Sequence, residues 1–340
     1  MPVTSIGDLA QNFKQRSIGN RLHRELSTLN LELTTGLKQD VSKAVAGKTK
    51  PVAAIERALT LIDAQSLAVK EANIFADATG TALAATKSRI EGIELGGMAI
   101  TNGMPKLQID AMAQSARIAF TGMISDLGTQ AAGRALFGGA TGTSQTLRSA
   151  EDILADLAAS LAGATSAADI EAGVNEYFGI NIDPSEEYAF RTNDYLGEAV
   201  DLAPFDLGDG STADIGIRAD DTEIRTALAE VARVAVLSED LGVSQQARAE
   251  TLAEGSLGLL QARNEIIALE ARLGTGAASI EDAMVRIGIE RDGLQTARLG
   301  LLAADPYETA TRLQQTEFQI SSIYTLTARL SGLNLVSYLR

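Results

Sequence analysis

Apolar residues recur along most of this chain at steps of three and four, a spacing that predicts long helices, each with one narrow seam. From Ile6 to about Ala46 the seam is Leu22, Leu26, Leu29 and Leu33, with Leu9 and Phe13 in the turns before it. Gly36 interrupts it, Val45 to Lys50 read as a connector, and Pro51 restarts a helix in its first turn, where a missing N–H costs nothing. From Val52 to about Glu94 the seam is Ile55, Leu59, Ile62, Val69, Ala76, Leu83 and Ile90, a rod of roughly 65 Å. Gly96, Gly97, Gly103 and Pro105 break it, and a third helix is predicted from about Lys106 to Ala132.

After Gly138-Gly139-Ala140-Thr141-Gly142 the composition changes. Ser149 and Ser166 each stand three residues before an aspartate, the mark of a capped helix start. Tyr195 to Phe205 and Ile215 to Arg218, joined through Gly208-Asp209-Gly210, are the candidate strands. Helical spacing returns from Asp221, with Leu252, Leu259, Ile266 and Leu273 at every seventh position; Gly274 to Ala278 are expected to break that helix and Ser279 with Asp282 to cap another. Asp305, Pro306 and Glu308 open the last helix, whose seam is Leu313, Ile320, Ile323, Thr327 and Leu330, and an apolar cluster of Leu333, Leu335, Tyr338 and Leu339 follows. The predicted fold class is mainly α: long coiled-coil-like helical rods from both termini around a small central α+β insert. The expected divisions are 1–50, 51–138, 139–220, 221–304 and 305–340.

Charge sharpens this division. Residues 139–240 carry a net charge of −16, and everything outside carries +1. Near-neutral arms can pack against copies of themselves without accumulating repulsion, whereas an acidic insert is better placed in solvent and argues against binding nucleic acid. A chain of 340 residues that is 45% apolar is expected to fold, and 4% aromatics without tryptophan suits close-packed helices. There is no cysteine, which excludes a thiolate nucleophile, a disulfide framework and a cysteine-ligated metal. Met1 to Asn20 holds no apolar stretch before a small-residue cleavage site, and no apolar run reaches membrane-spanning length, so neither Sec processing nor membrane embedding is expected.

Candidate chemistry is sparse. His23 is the only histidine and sits beside Arg21 and Arg24 on the polar side of the first helix, which favours a solvated face over a catalytic base. Asp206, Asp209 and Asp214 resemble a loose calcium loop, but their spacing is not that of an EF-hand and a turn with solvated carboxylates is the better reading. Glu186-Glu187 and Asp220-Asp221 are adjacent in sequence, so their side chains diverge and form no acid/base pair. No catalytic, cofactor-binding or metal site is expected. The seams themselves fit either the interior of a monomeric bundle or contacts between copies; their presence at both extreme ends favours copies. The candidate assembly residues are therefore Leu22, Leu26, Leu29, Leu33, Leu313, Ile320, Ile323, Leu330, Leu333, Leu335, Tyr338 and Leu339. The competing classes are a secreted helical binding module or adhesin and, furthest away, an enzyme using insert carboxylates.

Several segments also carry a resemblance. They are Leu33-Thr34-Thr35-Gly36-Leu37, Lys48-Thr49-Lys50-Pro51-Val52-Ala53-Ala54, the run Gly133 to Thr141, Tyr195-Leu196-Gly197-Glu198, Asp305-Pro306 and Leu333 to Leu339. Together they resemble the bacterial flagellin family, and within it the hook-filament junction proteins. The run Gly133 to Thr141 is similar to the segment that leads into the outer domain of those proteins, and Thr49-Lys50 stand where relatives carry Asp-Asp before the proline. The resemblance implies a non-enzymatic structural subunit with its terminal helices in an inner tubular layer and its insert outward. It implies export to the extracellular flagellum without a cleaved signal peptide, through the flagellar type III channel. The implied partners are further copies of itself in a ring or tube, the first hook-associated protein, flagellin and an export chaperone, with no nucleic acid and no membrane. Filament flagellin is the alternative within the family.

Overall fold

The computed structural model describes residues 6–97, 105–140, 145–180 and 186–338. The protein is mainly α, with long helices at both ends and a small sheet-containing central region. In order these are α1 (Ile6–Thr35), α2 (Val41–Ala44), α3 (Lys50–Gly97), α4 (Lys106–Leu127), β1 (Gln130–Ala131), β2 (Arg134–Ala135), α5 (Ala150–Ser160), α6 (Ala167–Phe178), β3 (Phe205–Gly208), β4 (Ser211–Ala213), α7 (Thr222–Ala235), α8 (Gln245–Leu302) and α9 (Pro306–Tyr338). Two compact units result. One holds the chain up to Asp63 and from Gly288 onward, the other Ala64–Ile287, and α3 and α8 contribute to both.

In the first unit α1 packs against α9. Gly36, at φ +70°, ends α1, and an antiparallel bridge pairs Leu37 with Ala303. Lys38 N donates to Leu302 O at 2.8 Å and Ala304 N to Gly36 O at 2.9 Å, which ties the first connector to the turn between α8 and α9. Asp305 starts α9 as its sequence predicts: one carboxylate oxygen accepts from Tyr307 N at 2.8 Å and from Glu308 N at 3.0 Å. The start of α3 runs antiparallel to the end of α8, since Glu56 pairs with Arg298 at 2.7 Å and Asp63 with Arg291 at 3.3 Å, so seven residues up one helix match seven down the other.

In the second unit the seams read from the sequence are buried. Val69, Ala76, Leu83 and Ile90 on α3 and Leu252, Leu259, Ile266 and Leu273 on α8 face inward, and the seven-residue step continues on α8 through Ile280 and Ile287. Lys87 on α3 reaches Glu270 on α8 at 2.6 Å. On α4, Ile109, Ala113, Ala116, Phe120, Met123 and Leu127 make an inward stripe, and α4 packs on α7. Helix α7 is buried on every side from Ile224 to Ala235, so it is the centre of this unit. The aromatics of the insert region pack on α6 and on the rod: Phe178 lies 5.3 Å from Tyr177 and 5.1 Å from Phe190, and Phe205 lies 5.8 Å from Phe75 of α3. Ser149 caps α5 through Asp152 N, and Ser166 and Asp169 form a reciprocal capping box on α6, both as expected.

Three expectations are corrected. Helix α8 does not break at Gly274 to Ala278, and Ser279 is no cap; its hydroxyl donates to Thr275 O inside a continuous helix. Helix α4 ends at Leu127 rather than near Ala132, because Gly128 closes it and Ala132 and Gly133, both at positive φ, turn the short β1–β2 hairpin. The central hairpin turns at Asp209-Gly210, both at positive φ, but its strands are the residues directly flanking that turn, not Tyr195 to Phe205 and Ile215 to Arg218. Ile215, Ile217 and Ala219 do alternate inward, yet among the described residues they belong to no strand ladder. Their period of two records burial without pairing.

Candidate assembly surface

A pair of helices can cover only one stripe of each partner, and the first unit carries more apolar surface than that. Leu22 and Leu29 are 3% and 2% exposed, whereas Leu33 is 40% exposed. Leu26, Leu313, Ile320 and Ile323 are half-buried and Thr327 is exposed. The side chains of Leu330, Leu333, Leu335 and Tyr338 lie outside the described residues, as does Leu339. Other large side chains stand in solvent on faces away from the seam, among them Leu31, Tyr307 and Phe318. Reading only the seam missed these, although apolar residues off the seam of an otherwise polar helix were their visible signal.

His23 is exposed, as the sequence predicts, and also makes a contact across to α9. Its Nε2 lies 3.1 Å from the Tyr324 hydroxyl, which links the only histidine to α9. Beside this contact Gln15, Arg16, Gly19, Asn20 and His23 of α1 face Ile320, Ile323, Tyr324 and Thr327 of α9 around a groove of about 360 Å³. Gly19 leaves the groove open, since a Cβ there would meet nothing within 4 Å.

In the second unit two of the segments singled out in the sequence meet each other. Glu198 N donates to Gly138 O at 2.9 Å and Ala140 N to Val200 O at 2.9 Å, while the Tyr195 hydroxyl donates to Glu198 O at 2.9 Å. Gly139, at φ +78°, lies so close that a Cβ would stand 2.7 Å from Val200 O, and a Cβ on Gly197 would stand 2.6 Å from Gly138 O. Gly139 and Gly197 are there for close backbone approach.

Buried charge in this unit is paired, a feature that sequence reading did not find. Asp194, fully buried, accepts from the Tyr177 hydroxyl at 2.6 Å and from Arg148 at 3.0 Å. Burial pushes its carboxyl above the usual range, opposed by those two donors, and burial together with the bond to Asp194 pushes the Tyr177 hydroxyl far up. Asp220 repeats the arrangement with the Tyr188 hydroxyl at 2.5 Å and Arg191 Nε at 2.8 Å, and the guanidinium groups of Arg191 and Arg225 lie 4.7 and 4.6 Å from the Tyr188 ring centre. Asp221 points elsewhere, accepting from Arg218 N at 3.1 Å and pairing with Arg272 at 3.3 Å, so the adjacent pair diverges as expected. Asp206 and Asp214 accept from the amides of Gly208 and Gly216, and Asp209 pairs with Arg286 at 3.4 Å. Glu186 and Glu187 are exposed. Among the described residues no three histidine or acidic side chains form a group able to hold a metal ion, and no helix is long and apolar enough to cross a membrane.

Residues 258–339, about the last three-quarters of α8 together with α9, match the family model described as the bacterial flagellin C-terminal helical region. No curated protein matches the chain. The match covers about a quarter of the chain and makes that part similar to the C-terminal helical region of bacterial flagellins.

Proposed function

We propose that this protein is a structural subunit of the extracellular bacterial flagellum that joins hook to filament, most like hook-associated protein 3. The flagellar part of the reading is supported by the match of residues 258–339 and by the uncovered apolar faces of α1 and α9. The junction part is carried by one observation. The run Gly133 to Thr141 and the segment Tyr195 to Glu198, which resemble junction proteins, are bonded to each other through Gly138 and Glu198. A filament subunit binds itself without limit, whereas a junction subunit binds unlike neighbours on its two sides and stops. In this reading the neighbours are the first hook-associated protein and flagellin, a chaperone holds the chain before export, and Thr49-Lys50 in place of an acidic pair alters a contact that would otherwise propagate. Filament flagellin is the alternative that the family match equally admits. The test is a cell lacking the protein: complete hooks with flagellin released unpolymerised into the medium support the junction role, and normal filaments contradict it.

A further inference from the structure

We infer that Glu230 is a proton-operated latch between α7, the central helix of the second unit, and α8: protonated, it holds the two helices together, and ionised, it loosens them. The device lies within that unit and is independent of how the protein assembles. Two glycines on α8 build the contact. A Cβ on Gly255 would stand 2.9 Å from Val234 Cγ2, and one on Gly258 would collide with the Glu230 carboxylate. The carboxylate is therefore pressed against bare helix backbone. Glu230 is 9% exposed, and its Oε2 is sealed from solvent and accepts no hydrogen bond.

A count of charges says what this carboxylate can do. The charged groups acting on it are Arg233 on its own helix and Glu171 on α6. Arg233 is 4% exposed, and its Nη2 lies 3.1 Å from Glu230 Oε1 and 3.4 Å from Glu171 Oε1. Two carboxylates thus share one guanidinium, and one negative charge is in surplus. Glu171, with 47% of its side chain exposed, has water to solvate its charge; Glu230 has none, so the surplus weighs on Glu230. A proton taken up there removes the surplus and leaves Arg233 paired with Glu171, so no buried charge is stranded. Releasing the proton leaves a carboxylate oxygen facing Gly258 without a donor, and moving α7 away from α8 lets water reach it. Since α7 is buried on every side from Ile224 to Ala235 and packs on α4 and α6, a change at this one contact is felt across the unit.

Hydrogen exchange of the full chain tests the latch, read by mass spectrometry on α7 peptides and corrected for the pH dependence of the exchange chemistry itself. Protection of Thr222–Ala235 is expected to fall about tenfold between about pH 5 and about pH 8, with α5 changing less. Glu230→Gln keeps the shape without the charge and should abolish the fall. Glu171→Gln removes the competing carboxylate from a half-exposed site, leaves Arg233 to Glu230 alone and should shrink the fall; it keeps the latch testable if the first variant does not fold. Protection of α7 that does not change with pH in the wild-type protein, an equal fall in α5, or a fall left unchanged by either substitution would overturn the latch.

Discussion

Gly276 on α8 and Ile215 before α7 touch where no side chain fits between them: a Cβ on Gly276 would stand 2.5 Å from Ile215 Cγ2 and 2.8 Å from the Asp214 carbonyl oxygen. Gly276→Ala should therefore destabilise the protein by roughly 1–3 kcal/mol even though alanine is the better helix former. Gly274→Ala is the control. Its added carbon meets nothing within 4 Å, so it should be neutral or stabilising by up to about 1 kcal/mol. Urea denaturation of the two variants measures the difference, and equal midpoints would contradict the packing role.

That pair also shows what the sequence could and could not reveal. Caps were legible because they are local: Ser149 with Asp152, Ser166 with Asp169 and Asp305 before Pro306 each act within three residues. The buried seams from Val69 to Ile90 and from Leu252 to Leu273 were legible because helical periodicity is set by the core. Gly276 was read as a breaker because a glycine's role in close approach depends on a partner about sixty positions away. The strands were misplaced for a similar reason: Ile215 and Ile217 alternate for burial, while the ladder forms only beside the Asp209-Gly210 turn. The paired Asp194 and Asp220 sites were invisible, since Tyr177 and Tyr188 could not be told from core aromatics. On α1 the seam was legible as intramolecular packing, with Leu22 and Leu29 buried, while the outward Phe318 showed only as an apolar residue off the seam of an otherwise polar helix.

The insert should be removable. Ala219 N donates to Phe137 O at 3.0 Å, so the chain leaves and returns at one point. Replacing residues 139–218 with a short Gly/Ser linker should leave α1, α3, α8 and α9 helical and competent to assemble. Circular dichroism checks this, and loss of the long-helix signal would show that the insert is needed to hold the rods.

Stability should fall as pH rises through the mildly acidic range. Burial raises the carboxyls of Asp194, Asp221 and Glu230 above their ordinary values, which begin at 3.8 for aspartate and 4.5 for glutamate. A group with a raised folded pKa contributes stability that is full below its unfolded value and lost as pH climbs through the folded one. Glu230 sits against Gly258 with Arg233 at 3.1 Å and one carboxylate oxygen without a hydrogen-bond partner, so Glu230→Gln should flatten this slope in melts taken from about pH 4 to 7. An unchanged slope would remove Glu230 from the account. Asp169 behaves oppositely: its bonds to Thr165 and Ser166 hold its carboxyl down to about 2, so the α6 cap should survive across that range.

In the isolated monomer both ends should be the first segments cut. Arg16, Arg24 and Arg329 are exposed on α1 and α9, which pack chiefly on each other. Limited trypsin digestion is expected to leave a stable fragment of about residues 55 to 300. Resistance at all three arginines would mean that the terminal helices are already covered in the monomer.

The most direct measurement of the central claim is electron microscopy of the purified full-length protein concentrated with sheared filament seeds. A junction subunit is expected to cap the seed ends or form short, limited assemblies. Long filaments built from this protein alone would contradict the junction role and identify a filament-forming subunit instead.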